Sequence, residues 1–111
     1  LVERRAHYAR ALAIAPAAPE PRIWYARDLV LGGRAAEALT VLAGASAAVA
    51  DRPDFAAVLA RARDGAGRRD EARRGLADAL GRWPGHAELV ATAQELGVLP
   101  RNSVAPPRSP R

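Results

Sequence analysis

The stretches LGGRAAEAL at residues 31–39 and AGRRDEARRGL at residues 66–76 share the pattern Gly-Arg-x-x-Glu-Ala. The two patterns lie 34 residues apart, and residues 19–52 laid over residues 53–86 without a gap match at ten positions. A fixed period of this length, with two helical segments in each unit, is the sequence signature of a helical-repeat protein.

Each unit is predicted to fold as two helices joined by a tight turn. A proline and an acidic residue stand together at the start of each first helix, where proline is tolerated and the acid complements the helix dipole. Glycines follow, and they can adopt the positive φ that closes a helix. The predicted helices cover 20–31 and 35–49 in one unit and 54–65 and 69–82 in the next, with Gly32, Gly33, Gly65 and Gly67 at the turns.

These features resemble the tetratricopeptide repeat. That motif has a large residue before a small one in its first helix, a glycine at the turn, a bulky and a small residue in its second helix, and a closing proline. The matching residues are Tyr25-Ala26 and Leu59-Ala60, Gly33 with Ala38 and Gly67 with Ala72, Tyr8/Ala11, Leu42/Ala45 and Leu76/Ala79, and Pro16 and Pro84. The resemblance implies an all-α fold: a right-handed α-solenoid of antiparallel helix pairs.

The register divides the chain into about two and a half repeats and a capping helix. Residues 1–97 form the predicted repeat domain, and the start of the chain within a helical pattern suggests a fragment of a longer protein. A Pro- and Arg-rich tail, 98–111, is expected to be disordered because it has little apolar surface to bury. Within the domain, 1–18 is the second helix of a truncated repeat, 19–52 and 53–86 are whole repeats, and 87–97 is the cap, with Val90, Ala93 and Leu96 on one side.

One departure from the family pattern concerns the first helix. Arg22 stands where a large apolar residue is usual, and Trp24 is a candidate to replace it. The middle unit also ends on Ala50 instead of the closing proline.

The composition excludes several classes of chemistry. The 111 residues include no cysteine, so there is no disulfide, thiol nucleophile or thiolate metal site. All 17 basic residues are arginine, which together with abundant Ala, Gly and Pro is typical of a GC-rich, bacterial genome. The compartment is not determined by the sequence, although a cytoplasmic location is favoured over a periplasmic one.

No group of reactive residues indicates an enzyme. His7 and His86 are 79 residues apart, and neither has a second ligand at metal-binding spacing. Asp70 and Glu71 are adjacent, and adjacent side chains on a helix do not face each other. Ser46 is expected within a helix, without the glycines of a nucleophile elbow. The sequence therefore predicts no catalysis, no cofactor and no metal.

The net charge of +5 does not indicate nucleic acid. The last twelve residues hold three arginines and no acid, so the remainder carries 14 arginines against 12 acids. A nearly balanced domain lacks the basic footprint of a DNA-binding protein. The cluster Arg68, Arg69, Arg73 and Arg74 is predicted to form a mixed-charge, solvated face, with an ion pair between Asp70 and Arg74.

The family resemblance implies a protein–protein interaction scaffold. First helices of such repeats line a concave groove that holds a peptide or a partner helix. Arg27 and Arg61 occupy equivalent positions and could hold an acidic segment, or they could be solvated arginines neutralised by Asp28 or Asp64. The groove residues predicted in this way are Ile23, Arg27, Val30, Leu31, Ala57, Arg61 and Asp64.

Two other functions stay open at this point. The first is binding of a polyanion, nucleic acid or acidic polysaccharide, by Arg27, Arg61, the 68–74 cluster and the basic tail. The second is a docking or regulatory role as an appendage of a larger enzyme. The lysine- and asparagine-based clamp of some family members is disfavoured, since the chain has no lysine and its only asparagine is Asn102.

Overall fold

The computed structural model describes residues 19–100, with side chains from residue 21 onward. Every regular element in this range is an α-helix, which confirms the all-α prediction. The predicted half repeat at 1–18 and the tail from 101 onward lie outside the described residues. The helices are α1 Pro19–Leu31, α2 Ala35–Ala43, α3 Ala47–Ala50, α4 Pro53–Gly65, α5 Arg69–Arg82 and α6 Ala87–Glu95.

The helices pack as a short solenoid. α1 packs against α2, and α4 packs against α5, each pair being joined by a three-residue turn. α4 also packs against both α1 and α2, and α6 packs against both α4 and α5 in the same way. Because α1, α4 and α6 begin at residues 19, 53 and 87, the 34-residue period extends to α6, which takes the place of a further first helix.

Gly33 and Gly67 close the first helices of the two pairs as predicted, with φ of 79° and 86°. In both turns the residue after the glycine donates its N–H to the carbonyl five positions back, at 2.7 Å. This is the Schellman arrangement, which satisfies carbonyls at the end of a helix. Gly32 and Gly65 do not have positive φ, so that part of the prediction is wrong. Gly65 instead permits close packing, because a Cβ there would lie 2.8 Å from the Cβ of Ala35.

Replacing Gly67 by alanine is expected to lower the free energy of unfolding by about 1–2 kcal/mol, the cost of a left-handed conformation for an L-residue. No atom lies within 4 Å of the added Cβ, so the conformation alone is tested. Gly81→Ala is the matched control: Gly81 lies within α5, also with open space around it, and alanine there should stabilise by about 0.5–1 kcal/mol. Equal effects of the two changes in urea unfolding would contradict the assigned turn.

The predicted second helix 35–49 is wrong at its carboxyl end, because the structure has two helices there. α2 ends at Ala43, and the N–H groups of Gly44 and Ala45 donate to carbonyls only three residues back. The Ser46 side chain then accepts a hydrogen bond from Val49 N at 3.3 Å and begins α3. Ser46 is therefore a helix cap and not a residue within a helix.

Arg22 explains why α2 ends where it does. It is buried, and its Nη1 donates to the carbonyl of Val41 at 2.5 Å. A Cβ on Gly44 would lie 2.7 Å from the same nitrogen, so the glycine makes room for the guanidinium. The expectation that Trp24 fills the apolar position is wrong, since Trp24 is 48% exposed.

Two apolar clusters meet at α4. The first joins α1, α2 and α3 to Phe55, Val58 and Ala62 of α4, and the second joins α5 and α6 to Ala57 and Ala60. Residues of the second helices that match the repeat motif lie in these clusters: Ala38 and Leu42 in the first, with Ala45 partly buried against it, and Ala72, Leu76 and Ala79 in the second. Because α4 contributes to both clusters, the two helix pairs share one continuous core.

The start of α4 is fixed by Asp54 and Arg52. The Arg52 guanidinium donates two hydrogen bonds of 3.1 Å to the Asp54 carboxylate, which also accepts Phe55 N at 2.9 Å. Burial alone would raise the pKa of Asp54, but these hydrogen bonds and the charge of Arg52 outweigh it and lower the pKa below its ordinary value. The carboxylate therefore stabilises the fold at neutral pH, and this contribution is lost as the pH falls through the lowered pKa.

The buried face of α6 differs from the predicted one. Leu89, Thr92 and Ala93 are fully buried, whereas Val90 and Leu96 are half-buried. Thr92 can face the core because its hydroxyl donates to the Glu88 carbonyl at 2.8 Å, which satisfies the polar atom.

The prediction of a disordered segment from residue 98 onward is wrong for its first two residues. Val98 and Leu99 pack against the second cluster, and both of their N–H groups donate to the carbonyl of Ala93. The positive φ of Gly97, 79°, turns the chain back to make this contact.

Candidate functional site: a pocket on the first-helix face

A pocket of about 540 Å³ opens on the face formed by α1, α4 and α6. We call it the first-helix pocket. Its size is within the range of ligand sites in proteins. It is lined by Arg27, Val30 and Leu31 of α1, by Val58, Arg61, Asp64 and Gly65 of α4, and by Glu88, Glu95 and Leu96 at α6.

The two arginines of the pocket are both held by glutamates of α6. Arg27 Nη2 donates to Glu88 Oε2 at 2.6 Å, and Arg61 Nη1 donates to Glu95 Oε1. The arginine side chains are about one-third exposed, at 34% and 29%. Each pair is partly screened by water and is worth at most about 1 kcal/mol. Together they tie α6 to both α1 and α4.

The remaining charged residue of the pocket, Asp64, is also paired within the protein. Asp64, near the end of α4, accepts Arg69 Nε of α5 at 3.2 Å. The hypothesis that Asp28 or Asp64 neutralises Arg27 and Arg61 is therefore wrong. Asp28 is buried, and the actual partners are glutamates contributed by a helix that the sequence prediction treated as a cap.

Five of the seven predicted groove residues line the pocket, namely Arg27, Val30, Leu31, Arg61 and Asp64. The other two, Ile23 and Ala57, do not line it; they are 1% and 0% exposed and belong to the apolar clusters. Ile23 and Ala57 lie one turn nearer the amino ends of α1 and α4, where the neighbouring helices close over them. Binding of a partner by the five pocket residues stays a prediction.

The sequence reasoning missed half of the pocket. Glu95 follows Arg61 by 34 residues, so extending the repeat register to α6 would have placed it beside that arginine. With α6 placed in this way, Glu88 and Leu96 would also have been predicted to lie on the same face. No sequence pattern marks Val58 as a residue that lines the pocket. The residues missed are Val58, Gly65, Glu88, Glu95 and Leu96.

The arginines at the start of α5 mostly make structural contacts. Arg68 Nη1 lies 3.8 Å from Glu71 Oε1, and Arg69 pairs with Asp64. Arg73 Nε donates to the Leu96 carbonyl at 3.2 Å. The last contact places a cation at the carboxyl end of α6, where it is favourable. The predicted ion pair between Asp70 and Arg74 is absent, although both residues lie in the described part of the chain.

The described residues show neither a metal site nor a membrane-spanning element. From residue 19 to residue 100, no three His, Asp or Glu side chains lie close enough together to hold a metal ion. In the same range, each helix is too short or too polar to cross a bilayer. His86 stands at the residue before α6, half-buried, and His7 lies outside the described residues.

A family model for the tetratricopeptide repeat matches residues 5–62, more than half of the chain. No curated protein and no solved structure matches the sequence. Repeats of this family typically act as non-catalytic modules that bind other proteins. The matched segment includes α1, α2 and most of α4, whose packing is the helix-pair arrangement expected of such repeats. On this match and this fold, the chain belongs to the tetratricopeptide repeat family.

Proposed function

We propose that this protein is a scaffold that holds a segment of another polypeptide in the first-helix pocket. The observation that carries the proposal is Leu31, a large apolar side chain that is 78% exposed at the wall of this pocket. Among the described residues, Leu31 and Trp24 are the large hydrophobic residues that are substantially exposed to water, and Leu31 is the more exposed of the two. Covering Leu31 with a partner would bury apolar surface that folding leaves in water.

A polyanion is a weaker candidate for this surface. Three arginines and one glutamate precede residue 19, and three arginines follow residue 100, so residues 19–100 carry eleven arginines and eleven acids. Seven of those arginines are in ion pairs with carboxylates. Because nucleic-acid affinity depends on cations that are available to phosphates, this balance favours a polypeptide partner.

The variant Leu31→Glu tests the proposal with little risk to folding. Its side chain is mostly in water, so the change is expected to alter the free energy of unfolding by less than about 0.5 kcal/mol. In a pull-down from a lysate of the source cells, the full chain is expected to capture a polypeptide that Leu31→Glu captures at least tenfold less. Arg27 and Arg61 are poorer positions for this test, because reversing their charge would also weaken the attachment of α6.

Ala77→Glu is the matched control. It adds the same charge at an exposed position of α5 that does not line the pocket. Capture should be unchanged in this variant. Equal capture by the wild type and by Leu31→Glu, with both folded by circular dichroism, would place the binding surface elsewhere and refute the proposal.

A further inference from the structure

We infer that the first-helix pocket selects a polypeptide segment in which a bulky apolar side chain stands next to a basic one. The inference rests on the proposed function and specifies the chemistry of the partner. It also replaces the acidic partner that the sequence alone suggested from Arg27 and Arg61.

Four of the large side chains that line the pocket are apolar. They are Val58, which is fully buried, Val30 and Leu31 of α1, and Leu96 at the end of α6. None of these side chains offers a hydrogen bond. A group that enters this part of the pocket gains by removing apolar surface from water and would lose by bringing an unpaired charge.

The charged part of the pocket disfavours an incoming carboxylate. Arg27 and Arg61 already donate to Glu88 and Glu95, so an acidic segment would meet guanidinium groups whose charge is already compensated. It would also approach Asp64, which lies on the same wall and pairs with Arg69. Like charges brought together in a partly desolvated site are costly.

A basic side chain meets a favourable arrangement at the same place. The Glu95 side chain is 51% exposed although it accepts from Arg61, so a second cation can approach it from solvent. A carboxylate has about four acceptor sites and can therefore serve two guanidinium groups at once. The Glu95 side chain is also more exposed than the side chains of Arg27 and Arg61, at 34% and 29%, so an incoming cation meets more accessible opposite charge than an incoming anion does.

Three short probes separate the two features of the partner. They are the capped dipeptides N-acetyl-Leu-Arg-amide, N-acetyl-Leu-Asp-amide and N-acetyl-Ala-Arg-amide, each titrated at millimolar concentration into the ¹⁵N-labelled full chain. The expected result is a shift of the backbone amide signals of Leu31, Gly65 and Leu96 with the Leu-Arg probe. The affinity for Leu-Arg should be at least fivefold higher than the affinity for either other probe.

A charge variant tests the role of Glu95 directly. Glu95→Gln should abolish the preference for Leu-Arg over Leu-Asp. Glu71→Gln, which removes an exposed carboxylate that is likewise near an arginine but lies on α5, should leave the preference intact. The inference is overturned if Leu-Asp binds as tightly as Leu-Arg, if the shifts lie away from the pocket, or if no probe shifts these signals. None of these results bears on the capture experiment, so a scaffold with a different partner chemistry would be recognised as such.

Discussion

Leu76→Ala is expected to lower the free energy of unfolding by about 2–5 kcal/mol, as truncations of buried leucines do. Leu76 of α5 is 0% exposed and belongs to the second apolar cluster, which α4, α5 and α6 form together. Alanine would leave a cavity in a cluster whose other buried members are five alanines and Leu89, and alanines have no side-chain freedom to fill it. The measurement is a urea titration of the full chain followed by circular dichroism at 222 nm.

Leu31→Ala is the control for this truncation. The chemical change is the same, but the leucine is 78% exposed, so the loss should stay below about 0.5 kcal/mol. A similar small loss for Leu76→Ala would show that Leu76 does not lie in the core between the helices.

Ile23→Ala is expected to cost a similar amount, about 2–5 kcal/mol. Ile23 is 1% exposed and packs in the first apolar cluster, although the sequence suggested that it lines the groove. The same urea titration measures the loss. A change below about 0.5 kcal/mol in the free energy of unfolding would show that Ile23 is not in the core and would favour its predicted place in the groove.

The milder variant Ile23→Val separates packing from binding. It should cost about 0.5–1.5 kcal/mol and leave the chain folded. Because Ile23 does not line the first-helix pocket, Ile23→Val should capture the partner as well as the wild type does. A capture defect as large as that of Leu31→Glu would place Ile23 in the binding surface.

Each of the two truncations is expected to lower the urea concentration at the midpoint of a single unfolding transition that the whole helical domain shares. In repeat proteins stability is carried mainly by interfaces between neighbouring units. Here α4 contributes Phe55 and Val58 to one cluster and Ala57 and Ala60 to the other. Loss of either cluster therefore weakens the helix on which the other depends.

The turns and the helices next to them could be predicted from the sequence because the repeat register places equivalent residues 34 positions apart. A match such as Gly33-Arg34 with Gly67-Arg68 states that the same turn occurs twice, and each turn limits the helices on both sides of it. The end of α2 could not be predicted in this way, because it depends on Arg22, which reaches a carbonyl 19 residues further along the chain. Gly44 and Ser46 were local signals for this end, and the continuing alanine-rich pattern obscured them.

The candidate site was less predictable than the fold. A repeat register indicates which residues share a face, but it does not indicate how closely neighbouring helices pack over that face. Ile23 and Arg27 lie one turn apart on α1, yet the first is in the core and the second lines the pocket. The partners of Arg27 and Arg61 could be identified only once α6 was placed against α1 and α4, since Glu88 is 61 residues from Arg27.

Site-specific photo-crosslinking in the source cells tests the central claim most directly. Leu31 is replaced by p-benzoylphenylalanine in the full chain, and Ala77 is replaced in the same way as the control. The account predicts that light joins one discrete polypeptide to the chain labelled at position 31 and none to the chain labelled at position 77. Crosslinking at 77 and not at 31, or equal crosslinking at both, would contradict a partner in the first-helix pocket.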